Sequence, residues 1–139
     1  MIHILRVELN TSEFDKAMKE KVNKVKEVFN ETSYERLEIL NEHTEAKVPY
    51  RTGRLRASLM RGNTVVSDGA YLTQEFEYSA LDPRDNYDYA LVTHEGGHGS
   101  VKFNFKYPTA TDHYLIKGLD EAYPYIMKEL VNDIKGALR

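Results

Sequence analysis

Cysteine is absent from the 139 residues, which excludes disulfide frameworks and cysteine-based zinc sites. No run approaches the roughly 20 apolar residues that a membrane span needs. The opening MIHILRVELNT has too short an apolar run and too little basic flank for a signal peptide. A cytoplasmic site of synthesis and use, with no membrane partner, is the expectation. Net charge is only -3, so there is no global pull toward nucleic acid or anionic lipid. Repeats, low-complexity tracts and linkers are missing too, and no proline or glycine occurs before Pro49.

What is present fits one ordinary domain spanning 1–139, with 41% hydrophobic residues to build a core and 29% charged residues to dissolve it. Charge is segregated. Lys47, Arg51, Arg54, Arg56 and Arg61 form a basic stretch without an acidic residue. From Asp68 to Glu95, seven acidic residues face one basic residue, Arg84. Either two solvated surfaces pair within one molecule, or two complementary patches meet between molecules. Eight of the ten tyrosines lie between Tyr71 and Tyr125, a bias that suits interfaces and strands equally.

Periodicity predicts the elements. Period-2 alternation over His3–Leu9 predicts a strand. Thr11 or Ser12 can cap a helix whose stripe is Phe14, Met18, Val22, Val25, Phe29, Leu37 and Leu40. This predicts one helix over about 12–46, bent near 30–33. Thr52 caps a short helix anchored by Leu55 and Leu59. Asp68-Gly69 turns a hairpin whose return strand sets Leu72, Phe76, Tyr78 and Ala80 on one face. Val101, Phe103, Phe105 and Tyr107 alternate as a further strand. Thr111 or Asp112 caps a last helix with a stripe of Leu115, Leu119, Tyr123, Ile126, Leu130 and Ile134, kinked or split by Pro124. The fold class is α+β: an antiparallel sheet of about four strands, with long N- and C-terminal helices packed on one face.

One segment, His94-Glu95-Gly96-Gly97-His98, fits the zinc-protease pattern H-E-x-x-H. That chemistry needs both histidines one helical turn apart on one face, with the glutamate as general base. Two glycines fill the intervening positions, Gly99 follows, and a strand pattern starts at Val101. A helix from Tyr89 therefore ends at Gly96, with His98 beyond it. Asp112 and His113 are the remaining ligands in reach of the sequence, but they lie past a strand. The segment reads as a glycine-rich loop with surface histidines.

Two stretches carry a resemblance. AKVPYRTGRLRASLM, residues 46–60, resembles the P-x-x-T-G-x-L-R-x-S segment of tailed-phage minor capsid and tail-completion proteins. NYDYALVTHEGG, residues 86–97, resembles their Y-A-x-x-V-E-x-G segment, with Tyr89-Ala90 at the Tyr-Ala position, Glu95 at the acidic one and Gly96 at the glycine. The order of elements also agrees over most of the chain after about residue 12. The chain departs from the pattern in its NEHTEAKVPY lead-in, its Gly-Gly-His-Gly run and its acidic 81–88 loop. The resemblance implies a non-enzymatic structural protein of the head–tail junction, without cofactor or catalytic residues. It would act in the virion, and in the host cytoplasm during assembly. It implies self-association in a ring or collar and contacts with neck, portal or tail proteins.

Within that reading, Thr52, Gly53, Leu55, Tyr89, Ala90 and Gly96 are structural motif residues. Independently of the resemblance, Arg51, Arg54 and Arg56 can project outward, where arginine pairs bidentately with carboxylates or phosphates. Either one or two of them pair with the molecule's own Glu residues, or Arg54 and Arg56 meet carboxylates among Asp82, Asp85 and Asp88 of a neighbour. Two alternatives belong to other classes. One is a small zinc-dependent hydrolase using His94, His98 and Glu95. The other is a nucleic-acid-binding module built on the Arg51–Arg61 cluster, although the acidic stretch beside it makes a poor electrostatic footprint.

Overall fold

The computed structural model describes residues 2–11, 19–49, 53–68, 71–80, 88–98, 101–102 and 109–139. Strand β1 (Ile2–Asn10) leads to helices α1 (Lys19–Glu31) and α2 (Ser33–Thr44), a 3-10 turn (Glu45–Lys47) and helix α3 (Arg54–Gly62). Strands β2 (Thr64–Asp68) and β3 (Tyr71–Tyr78) follow, then helix α4 (Tyr89–His94), strands β4 (Gly97–His98) and β5 (Val101–Lys102), and helix α5 (Tyr114–Ala137).

The architecture is α+β, and the sheet has three antiparallel strands in the order β1-β3-β2. The expectation of about four strands is corrected: β5 pairs with β4 in a separate two-stranded ribbon. Residues 103–107, the rest of that expected strand, lie outside the described residues. The hairpin forms as read, with Asp68 opposite Tyr71, so Asp68 belongs to the strand rather than to the turn. Along β3, Leu72, Gln74, Phe76 and Tyr78 are buried, while Tyr71 is exposed. Strand β1 crosses from Ile2↔Tyr78 to Asn10↔Tyr71, with a register shift between His3 and Leu5. Because of that irregularity Ile2 shares the core-facing side with Leu5, Val7 and Leu9, whose alternation holds as read.

The buried sheet face meets helices. Its Leu72, Phe76 and Tyr78 share one hydrophobic core with Val25, Phe29, Leu37, Leu40, Leu59, Ala90, Tyr114, Leu115, Ala122, Ile126 and Leu130. The expected N-terminal helix is two helices meeting at Thr32. Its hydroxyl donates to Val28 O at 2.7 Å, a side-chain bond back to the previous turn that bends helices. Phe14 and Met18 lie outside the described residues. Past Pro124 the last helix runs on as one element, neither split nor ended. Its buried stripe is Tyr114, Leu115, Gly118, Ala122, Ile126 and Leu130; Tyr123 points to solvent. The expected caps are replaced as well. Gly53 at φ 81° precedes α3 in the place read for Thr52, which lies outside the described residues. His113 at φ 48° precedes α5, instead of Thr111 or Asp112.

Candidate functional site

The H-E-x-x-H segment forms a closed helix end. Asp88 starts α4 by accepting from the backbone N–H groups of Ala90 at 2.9 Å and Leu91 at 3.4 Å. The helix stops as the glycine predicted. Glu95 N donates to Leu91 O at 3.1 Å and Gly96 N to Thr93 O at 3.2 Å, with Gly96 at φ 82°. His98 then sits in β4, without the helical spacing a zinc pair needs.

His94 is not at the surface, contrary to the sequence reading: it is 1% exposed. Its ring packs edge-on against Tyr114 at 5.1 Å and His113 at 5.2 Å. Nδ1 lies 3.1 Å from Glu95 Oε1. Nε2 is buried and, among the described residues, without a hydrogen-bond partner. Burial holds the imidazole below its ordinary value, with the hydrogen bond to Glu95 opposing.

The fold also joins residues that the sequence kept apart. Glu95 Oε2 is 3.3 Å from His113 Nε2, His113 Nδ1 is 3.5 Å from Asp112 Oδ2, and Asp112 Oδ1 is 2.8 Å from Lys117 Nζ. His113 N–H donates to His94 O at 2.5 Å. The result is a linear chain, imidazole–carboxylate–imidazole–carboxylate–ammonium, clasping the end of α4 to the start of α5. Such a chain can hold and pass protons. Its donors do not close on a point. Among the described residues, the donors that converge within 4.8 Å are those of Glu35, Glu129 and Asp133. Three carboxylates suit a hard cation, but Arg36 Nη1 already stands 3.9 Å from Asp133 Oδ2. Glu35 and Glu129 also share a hydrogen bond that raises the Glu35 carboxyl.

The charge-segregated surface is only partly as read. Arg54 is exposed on the first turn of α3. Arg56 is half-buried, and its Nε donates to Val48 O at 3.1 Å. It therefore ties α3 to the preceding turn rather than projecting freely. Asp88 is committed to capping α4 and is no spare carboxylate for a neighbour. Arg51, Asp82 and Asp85 lie outside the described residues. Lys47 pairs with Glu121 at 2.8 Å, a carboxylate outside the acidic stretch.

The motif residues prove to be joints. Leu55 is half-buried and Leu59 fully buried beneath α3. Ser58 Oγ donates to Leu55 O at 2.6 Å and accepts from Ser79 N at 3.0 Å, fastening α3 to the end of β3. Tyr89 N donates to Ala80 O at 3.0 Å. Ala90 is fully buried, and its carbonyl accepts from Tyr114 OH at 2.8 Å. Tyr114 and Tyr78 are core residues, stacked edge-to-face at 5.2 Å, and burial pushes both phenols up.

Sequence reasoning missed Arg36 and Tyr114. For Arg36 a signal existed in Gln74, an amide on an otherwise apolar strand face that has to meet a buried partner. No protein-family model, curated protein or solved structure matches the chain.

Proposed function

We propose that this chain is a non-enzymatic phage or prophage structural protein of the head–tail junction, acting by ring or collar assembly. One observation carries the reading: the residues that bear the resemblance serve as mechanical joints. Gly53 and Gly96 occupy left-handed backbone, Ser58 ties a helix to a strand, and Ala90 is sealed under Tyr114. A segment used this way holds a rigid body in shape, which suits a subunit that works by contact. Tyr34, Tyr71, Tyr123 and Tyr125 are each half or more exposed and supply the large amphipathic side chains favoured in protein–protein contacts.

The hydrolase alternative draws no support from the same region, where His94 is buried and His98 lies beyond the helix. The partners in this reading are copies of the chain and neck, portal or tail proteins, and its place is the virion. Among the described residues no helix is long and apolar enough to cross a membrane. The test is electron microscopy of tailed particles carrying an epitope on the C-terminal end of α5. Label at the head–tail junction, with tailless heads when the chain is withheld, is the expected result. Particles that join tails normally without the chain would refute the proposal.

A further inference from the structure

We propose that the His94–Glu95–His113–Asp112 chain is an acid-released latch. At neutral pH it closes the turn after α4 onto the start of α5, and in mild acid it opens. The inference is independent of the assembly reading.

The argument begins with the tautomer. Glu95 Oε1, 3.1 Å from His94 Nδ1, is a carboxylate oxygen and can only accept. The neutral ring therefore carries its proton on Nδ1 and a lone pair on Nε2. Protonation adds a proton at Nε2, where the pocket offers no acceptor among the described residues. It would place a charge and an unpaired donor together in a site that is 1% exposed. Both are costly in a dry environment. The ring's escape is outward, into water.

Among the described residues, the groups facing His94 are these. Glu95, on the same turn, favours a positive ring, but its second oxygen is engaged by His113. From the start of α5, His113 opposes a second positive charge and Asp112 favours it. Tyr114 presents its ring edge-on and is neutral in acid. Behind these, Lys117 holds Asp112, and Tyr78 packs on Tyr114. The sign follows. A buried imidazole whose folded value is depressed leaves stability intact above about pH 6.5. Stability falls as the pH drops from there toward the folded value.

The backbone is prepared to move. His113 is held left-handed at φ 48°, a conformation unfavourable for a non-glycine residue. Its N–H is tied to His94 O, so breaking that bond releases strain. Gly96, at φ 82°, and Gly97 supply the pivot on the other side. The ties from Tyr114 OH to Ala90 O and Thr93 Oγ1 do not titrate in acid. The opening is therefore confined to the turn from His94 to Gly97 and leaves the body of α4 docked.

The test uses the full chain. Amide exchange, corrected for intrinsic rates, is followed from pH 7.5 to 5.0 together with the ring C–H signals of His94. Protection of the Glu95, Gly96 and His113 amides should fall several-fold, while the Leu37 and Leu40 amides stay unchanged. In His94→Gln, which can reach Glu95 but cannot charge, the fall should vanish. Unchanged protection in the parent at pH 5.0 would overturn the latch, as would an equal fall in His94→Gln. If that variant does not fold, the parent decides alone: a His94 ring that charges in place, with the three amides still protected, also overturns it.

Discussion

Among the described residues, Arg36 is the largest of the fully buried side chains. It donates to Gln74 Oε1 at 2.6 Å, Thr32 Oγ1 at 2.7 Å and Phe29 O at 2.5 Å. Its guanidinium lies 4.3 Å from the centre of the Phe29 ring. Burial pulls it down to about 10, so it remains charged at neutral pH and finishes the C-terminal end of α1 as a cation should. Arg36→Met strands Gln74, the Phe29 carbonyl and Asp133 together, and should lower stability by about 3 kcal/mol in urea titration. Glu35 offers a gentler test. Its carboxyl is raised chiefly because, when protonated, it donates a hydrogen bond to Glu129, so it favours the folded state below its unfolded value and loses that favour as pH rises through the folded one. Glu129→Gln should flatten this decline, by no more than a few tenths of a kcal/mol at so exposed a site. None of this was legible around residue 36. The i, i+3, i+4 rule picks out Leu37 and Leu40 and assigns the arginine just before them to solvent. A buried cation is specified by partners far off in the chain, Gln74 and Asp133, which local periodicity does not register.

Helix α5 meets α2 at a glycine. A Cβ on Gly118 would stand 2.0 Å from Thr44 Cγ2 and 3.1 Å from His43 O, so the two backbones approach where no side chain fits. Gly118→Ala should cost about 1–3 kcal/mol through overpacking, read as a lower urea midpoint at unchanged slope. Pro124 has the opposite sign. It lies exposed inside an unbroken helix and withholds one backbone bond, so Pro124→Ala should raise stability by about 2 kcal/mol. Gly53→Val should cost about 1–2 kcal/mol, because φ 81° is open to glycine and closed to a branched side chain. A melting temperature unmoved by that change would remove Gly53 from the argument. Elements governed by local chemistry were readable: the β2–β3 hairpin, the end of α4 at Gly96, the break near Thr32. The helix starts were not, because Gly53 and His113 take positions where capping rules look for hydroxyls and carboxylates.

Between molecules, the exposed charge gives a prediction. Arg54 is exposed where Arg56 is half-buried and bonded to Val48 O, so Arg54→Glu is the variant that tests electrostatic docking while keeping the Arg56 tie to Val48. Tail joining in trans should weaken, and more so at low salt, where the Debye length is about 10 Å at 0.1 M and longer below that. Circular dichroism should be unchanged, and normal joining would discard the charge-pairing idea. The α+β class and the one-sided sheet followed from alternation and amphipathic stripes. The clasp between His94 and His113 did not, since a predicted strand lay between them and nothing local says that it turns back. The strand order has a temporal consequence. Because β3 lies between β1 and β2, Ile2 waits for Tyr78 as its partner. During synthesis β1 leaves the ribosome before its partner β3, and their pairing waits until residues 71–78 follow. For that interval the nascent chain carries an open strand edge and the unburied faces of α1 and α2, a period of exposure to misassociation that chaperones exist to cover.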